Sequence, residues 1–176
     1  MRIVIPLLIV TVCASCAPVQ TPKTVAVSAV AIANLAKADG TPAGVATISQ
    51  RRDGLWLSVA ATAVTAGTFG MHIHGVGKCD GPDFASAGPH FNPTGKQHGR
   101  DNPMGAHAGD LPNLVAGAEG KASVESRLPD MPLTGEGGLI DADGAALVIH
   151  AMADDYTTDP SGNSGKRVIC GVFSVK

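Results

Sequence analysis

An all-β fold is what this sequence predicts: an antiparallel sandwich or barrel of about eight strands with two long loops. Three observations carry that expectation. Segments of alternating small apolar and polar residues recur along the chain, with the period of two that puts successive side chains on opposite faces of a strand. Turn signals such as Arg52-Asp53-Gly54 separate them. Gly 22 and Pro 12, against an aromatic share of 3%, favour short strands and ordered loops over helices. The 176 residues suffice for one domain with a sizeable core. A mean hydropathy of +0.17 is too high for wholesale disorder.

The N-terminus reads as a targeting segment. Met1-Arg2 gives a positive start, Ile3 to Val12 is apolar, and small residues follow. Such a run is too short to cross a hydrocarbon layer of ~30 Å, which needs about 20 residues. Residues 1–20 are therefore set aside as a signal and short tether, and residues 21–176 as the domain. Cys13-Ala14-Ser15-Cys16 resembles a bacterial lipoprotein box, with Cys16 the lipidated residue. Ordinary cleavage near Ala17 is the alternative, although Pro18 would then follow the cut. Either route exports the chain. The expected place is the bacterial periplasm, with lipid attachment to a membrane through Cys16 left open.

Strands are expected over residues 24–35, 43–50, 55–61, 69–74, 121–127, 145–152 and 167–175. Between the fourth and fifth, residues 75 to about 114 lose all periodicity and fill with Gly, Pro, Asn and Asp. A loop of that length in a compact domain implies function or an external source of order. Residues 153–166 form the second loop, carrying Asp154, Asp155, Tyr156 and Asp159. Trp56 and Tyr156 are expected to pack, and Lys37, Lys96 and Lys121 to be solvated surface. With Cys13 and Cys16 assigned to the signal, Cys79 and Cys170 remain, and an oxidising compartment favours their pairing. The formal net charge of -2 suggests neither nucleic acid nor an anionic membrane surface as a partner.

All six histidines fall into one pattern: His72-Ile73-His74, His90, His98, His107 followed by Asp110, and His150. Histidine is the commonest metal ligand. In a strand, His72 and His74 share a face, opposite Met71 and Ile73, and His150 ends a second strand. Those three with one imidazole from the loop make a four-nitrogen set suited to Cu(II). His90, His98, His107 and Asp110 supply three nitrogens and a carboxylate, the closed tetrahedral set zinc takes. His90 stands where each ring nitrogen could serve one metal.

These residues, with Gly70-Met71-His72-Ile73-His74, Ser86-Ala87-Gly88-Pro89-His90-Phe91-Asn92-Pro93, His98-Gly99, His107-Ala108-Gly109-Asp110-Leu111 and Gly165-Lys166-Arg167-Val168-Ile169-Cys170-Gly171, resemble those of bacterial exported copper–zinc superoxide dismutases. The resemblance covers nearly the whole of the mature sequence. It implies an eight-stranded Greek-key barrel of immunoglobulin-like sandwich type. It implies one copper per subunit on His72, His74, His90 and His150, and one zinc on His90, His98, His107 and Asp110, with His90 bridging. It further implies that Asp154 joins His72 to His98, that Cys79 and Cys170 are disulfide-bonded, and that Arg167 stands beside the open copper position. The implied reaction is dismutation of superoxide, with Arg167 and His90 as the catalytic residues. The alternative is an exported copper or zinc carrier on the same fold. A monomer and a homodimer both fit the family, and the charges of the second loop do not map onto its eukaryotic steering residues.

Overall fold

A computed structural model describes residues 28–62 and 64–176. Ten strands are named in chain order: β1 (Ser28–Lys37), β2 (Pro42–Arg51), β3 (Gly54–Thr62), β4 (Gly67–Phe69), β5 (Met71–His74), β6 (Leu114–Ala116), β7 (Lys121–Arg127), β8 (Ala146–His150), β9 (Arg167–Val172) and β10 (Ser174–Val175). The signal, the tether and Cys16 lie outside the described residues.

The strands form one antiparallel sheet in the order β4-β6-β7-β3-β2-β1-β9-β8-β5, with β10 pairing β1. Its two ends, β4 and β5, are consecutive pieces of chain separated only by Gly70. The sheet therefore returns on itself as a nearly closed barrel. With β4 and β5 counted as one bent strand and β10 as the tail of β9, eight strands remain, as expected. β3 neighbours β2 and β7 rather than β4, and β8 neighbours β9 and β5 rather than β7, so the chain crosses over after β3 and again after β7. That is the Greek-key connection.

Alternation sets which faces are buried. Ala31, Ala33 and Leu35 of β1, Leu55, Leu57, Val59 and Ala61 of β3, and Met71 and Ile73 of β5 point into one apolar core with Ile48, Leu147, Ile149 and Ile169. β5 and β8 are buried on both faces. On their outer side Ala146 and Val148 pack with Phe84, Ala87 and Cys170 in a second, smaller cluster. A strand covered twice reads as a continuous apolar run rather than an alternation, which is how residues 145–149 appear.

The long loop is irregular but ordered. It holds a 3-10 turn at Ala85–Ala87 and runs along the free edge of β5. Ile73 N–H donates to Gly109 O at 2.9 Å, and Phe91 N–H to Ile73 O at 2.8 Å. A Cβ at Gly109 would overlap the Ile73 carbonyl, so only glycine lets the loop approach the strand this closely. β6 was not foreseen, because three residues are too few to show a period. The expected strand over 145–152 stops at His150, where the pairing with β9 shifts register.

Candidate metal centre

His72 and His74 project from the outer face of β5, and His150 ends β8 beside it; Met71↔Ile149 and His72↔Val148 fix that register. A single bridge, His74↔His90, brings His90 from the loop to the same place. One ring nitrogen from each of these four histidines lies within 4.8 Å of the others. Their burial is nearly complete: 0% exposure for His72 and His74, 3% for His150 and 7% for His90.

The other ring nitrogens are spoken for. His74 Nδ1 donates to Gly88 O at 2.8 Å and His150 Nδ1 to Gly165 O at 3.0 Å. His72 Nε2 pairs with Asp154 Oδ2 at 2.8 Å. A carbonyl or carboxylate only accepts, so each imidazole must carry its proton on that side and aim a lone pair the other way. Burial opposes protonation of those lone pairs. It lowers His72 to about 3, His74 to about 2 and His150 to about 4, and pushes His90 down as well. Among the described residues five buried side-chain polar atoms lack a hydrogen-bond partner, and four are His72 Nδ1, His74 Nε2, His90 Nε2 and His150 Nε2. Four convergent neutral nitrogens without partners would carry a substantial desolvation cost unless a cation completes them. The donor set fits copper, which favours imidazole nitrogen.

The second group is organised on one carboxylate oxygen. Asp110 Oδ1 lies 3.0 Å from His90 Nδ1, 3.0 Å from His98 Nδ1 and 3.2 Å from His107 Nδ1. Asp110 Oδ2 accepts backbone N–H groups of Gly99 and His107 at 2.9 and 3.0 Å. Burial would raise the Asp110 carboxyl, but His90, His98 and the Gly99 N–H outweigh it and hold the group well below the usual range. Burial likewise works against protonated His98, yet Asp110 and Asp154 together raise it to about 9. His72, His90, His98 and Asp110 also fall within 4.8 Å of one another. The unpartnered nitrogen of His72 belongs to the first cluster, however, so His107 is the fourth member here. Three nitrogens and one oxygen match the donor set of a closed zinc site.

Asp154 ties the clusters together. Its carboxylate is fully buried and reaches His72 Nε2 at 2.8 Å and His98 Nε2 at 3.0 Å. Arg167 opens β9 and is anchored by the long loop: its guanidinium donates to Phe84 O and Gly88 O, each at 2.7 Å. Cys79 and Cys170 are disulfide-bonded with Cα atoms 5.7 Å apart, which ties that stretch of loop to β9. Arg167, His74, His90 and His150 line an open cavity of about 1060 Å³ together with Lys96, Asp141 and Asp159. Lys96, expected as plain surface, is exposed and lines this cavity.

The six histidines, Asp110, Asp154 and Arg167 thus converge on the outer face of β5 and β8, beneath the two long loops. Two further participants emerge, Asn113, which the sequence does not single out, and Tyr156, which was expected only to pack. Asn113 exchanges two hydrogen bonds with the Asp154 backbone, each 2.9 Å, and Tyr156 N–H donates to Asp154 Oδ1 at 2.7 Å. Their sequence signal is only proximity to Asp110 and Asp154.

The sequence profile of the copper/zinc superoxide dismutase family (SODC) matches residues 42–173. A superoxide dismutase-like protein of Bacillus subtilis, YojM, is 46% identical over 143 residues, covering 79% of this chain and 73% of that one. A copper–zinc superoxide dismutase of Caulobacter vibrioides is 42% identical over 139 residues, covering 77% and 80%. Among solved structures, a double mutant of a SOD-like protein from Bacillus subtilis has a TM-score of 0.76 at 47% identity, covering 80% of this chain and 95% of that chain. The copper/zinc superoxide dismutase of Brucella abortus has a TM-score of 0.61 at 27% identity, covering 80% and 97%. With barrel, histidine clusters and sequence in agreement over most of its length, the chain belongs to the copper/zinc superoxide dismutase family.

Proposed function

We propose that this protein dismutates superoxide, two superoxide anions and two protons giving dioxygen and hydrogen peroxide. His72, His74, His90 and His150 would hold copper, and His90, His98, His107 and Asp110 zinc, one of each per chain. The observation that carries the reading is the set of four unpartnered imidazole nitrogens on His72, His74, His90 and His150, the last three of which line an open cavity together with Arg167. Copper bound there supplies alternate one-electron oxidation and reduction, while zinc supplies fixed charge without redox chemistry.

The chain's own residues do the rest. Arg167, fixed by two carbonyls and half-buried, presents a positive charge that draws and orients a small anion against the overall negative charge of the protein. His90 has Nε2 in the first cluster and Nδ1 in the second. Its Nε2 is the atom at which a proton would be held and passed to the departing peroxide. Asp154, His74 and His150 keep tautomers and ring orientations fixed through their hydrogen bonds. The loops that cover β5 and β8 keep bulk water off the histidines while the cavity leaves one side open.

The same reading includes export to a bacterial periplasm: residues 1–20 would act as a signal and tether ahead of a domain over residues 21–176, with Cys16 as the candidate lipidation point. The disulfide and the bacterial relatives favour an oxidising compartment. Mass spectrometry of the mature N-terminus tests the anchor.

The decisive assay is superoxide dismutation by purified protein with quantified copper and zinc, beside a His72→Ala control. Turnover at about one copper and one zinc per chain, lost in the control, is the expected result. Bound metal without turnover would refute the enzyme and leave a metal carrier on this fold.

A further inference from the structure

Tyr156 stands in a conformation that bulky residues avoid, with φ of 63°. Such an outlier persists only where its surroundings over-determine it, and here they do so through every part of the residue. Its N–H donates to Asp154 Oδ1 at 2.7 Å, the same oxygen that meets His98. Its carbonyl accepts the Asp101 N–H at 3.0 Å and lies so close to Gly99 that a Cβ there would overlap it. The phenol oxygen accepts the Asn113 N–H at 2.7 Å. Asn113 in turn grips the Asp154 backbone at both its N–H and its carbonyl. Arg100 caps the ring, its guanidinium carbon 3.8 Å from the ring centroid.

We propose that Tyr156, capped by Arg100, is a positioning residue that clamps Asp154 against His98 and so sets the geometry of the second metal cluster. The two histidines that Asp154 joins differ in their own support. His72 sits on β5, paired along its length with β8. His98 lies in the long loop, and its ring is oriented only by Asp110 and Asp154. Loosening Asp154 therefore falls chiefly on His98. The clamp also fastens the second long loop onto the first, at residues 99–101 and 113, which makes a surface cation–aromatic pair part of the zinc side of the centre.

The proposal rests on the copper–zinc reading above for the identity of the metals. The test uses the full-length, metal-stripped protein, with zinc affinity measured by chelator competition, copper uptake measured separately, and cobalt(II) bound in place of zinc as a spectroscopic reporter. Tyr156→Phe keeps the ring beneath Arg100 and removes the acceptor for Asn113. It should weaken zinc binding about tenfold, the low end for residues that support a metal ligand, and shift the cobalt absorption, with copper uptake unchanged. Arg100→Gln, an exposed change, should move zinc affinity in the same direction by less. Unchanged zinc affinity and cobalt spectrum in both variants would overturn the clamp. So would zinc and copper affinities falling in step with thermal stability, since a residue that merely packs would act that way. Asp110→Asn separates the two levels: zinc uptake indifferent to that change would overturn the metal assignment itself, and the clamp with it.

Discussion

Replacing both Cys79 and Cys170 with alanine should cost roughly a third or more of the metal-free protein's stability. The bridge closes a loop with a sequence separation of 91 residues. In the chain-entropy view, a loop of that size restricts the unfolded ensemble by about 4.5 kcal/mol. Cys170 is also 2% exposed and packs with Phe84, Ala87, Ala146 and Val148. Trimming its sulfur adds about 1 kcal/mol of lost contact. The sum, roughly 5 kcal/mol, is large against the usual 5–15 kcal/mol for a domain. Urea unfolding of metal-stripped protein measures it, and the slope should steepen because an uncrosslinked chain exposes more surface. A loss below about 2 kcal/mol would refute the entropic account. The change also reaches the cavity, because Arg167 is held by carbonyls of Phe84 and Gly88 in the stretch that Cys79 ties down. Copper content should therefore outlast kcat/KM in this variant.

Three further outcomes are expected. Arg167→Glu should lower kcat/KM by roughly tenfold or more at low salt with metal content intact, and an unchanged rate would remove the steering role. Asp154→Ala would leave His72 Nε2 and His98 Nε2 without their partner; zinc affinity should fall by about 10–100-fold, and chelator competition reads it directly. The metal-stripped protein should lose stability in mild acid. His72, His74 and His150, held at about 3, 2 and 4 in the folded state, titrate near 6.5 when unfolded. Their contribution is complete above that ordinary value and disappears as pH falls toward the folded values, each with a slope of up to about 1.4 kcal/mol per pH unit. His98 acts with opposite sign: raised to about 9, it adds stability that is complete below 6.5 and fades as pH rises through that higher value. Denaturant titrations from about pH 8 to about pH 4.5 check the balance, and stability that stays flat below 6.5 would contradict it.

The barrel was legible where alternation is long. β2, β3 and β7 fall within a residue or so of expectation, and in β3 and β7 the inward positions Leu55, Leu57, Val59 and Ala61, and Ala122 and Val124, repeat with the period of the pleat. β6 was not, and neither was the break at Gly70, because a strand that leaves one neighbour for another keeps its side-chain period while changing partners. The histidine clusters were readable for a different reason: no other chemistry accounts for six imidazoles and Asp110 together. Asn113 acts through its side-chain amide on Asp154, 41 residues on, and through its N–H on the phenol of Tyr156, 43 residues on, so spacing along the chain does not single either residue out.

The bend at Gly70 has a consequence for how this molecule can change over time. β4 seals the barrel against β6, and β5, one residue later, delivers two of the six histidines against β8. Closure of the scaffold and presentation of the redox cluster are thus written into a single stretch of eight residues, Gly67 to His74. At the buried positions Gly70 to His74 a substitution that shifts the seam also shifts the imidazoles. The β1–β2–β3 meander carries none of the candidate ligands, so substitutions there can change the scaffold without touching the imidazoles.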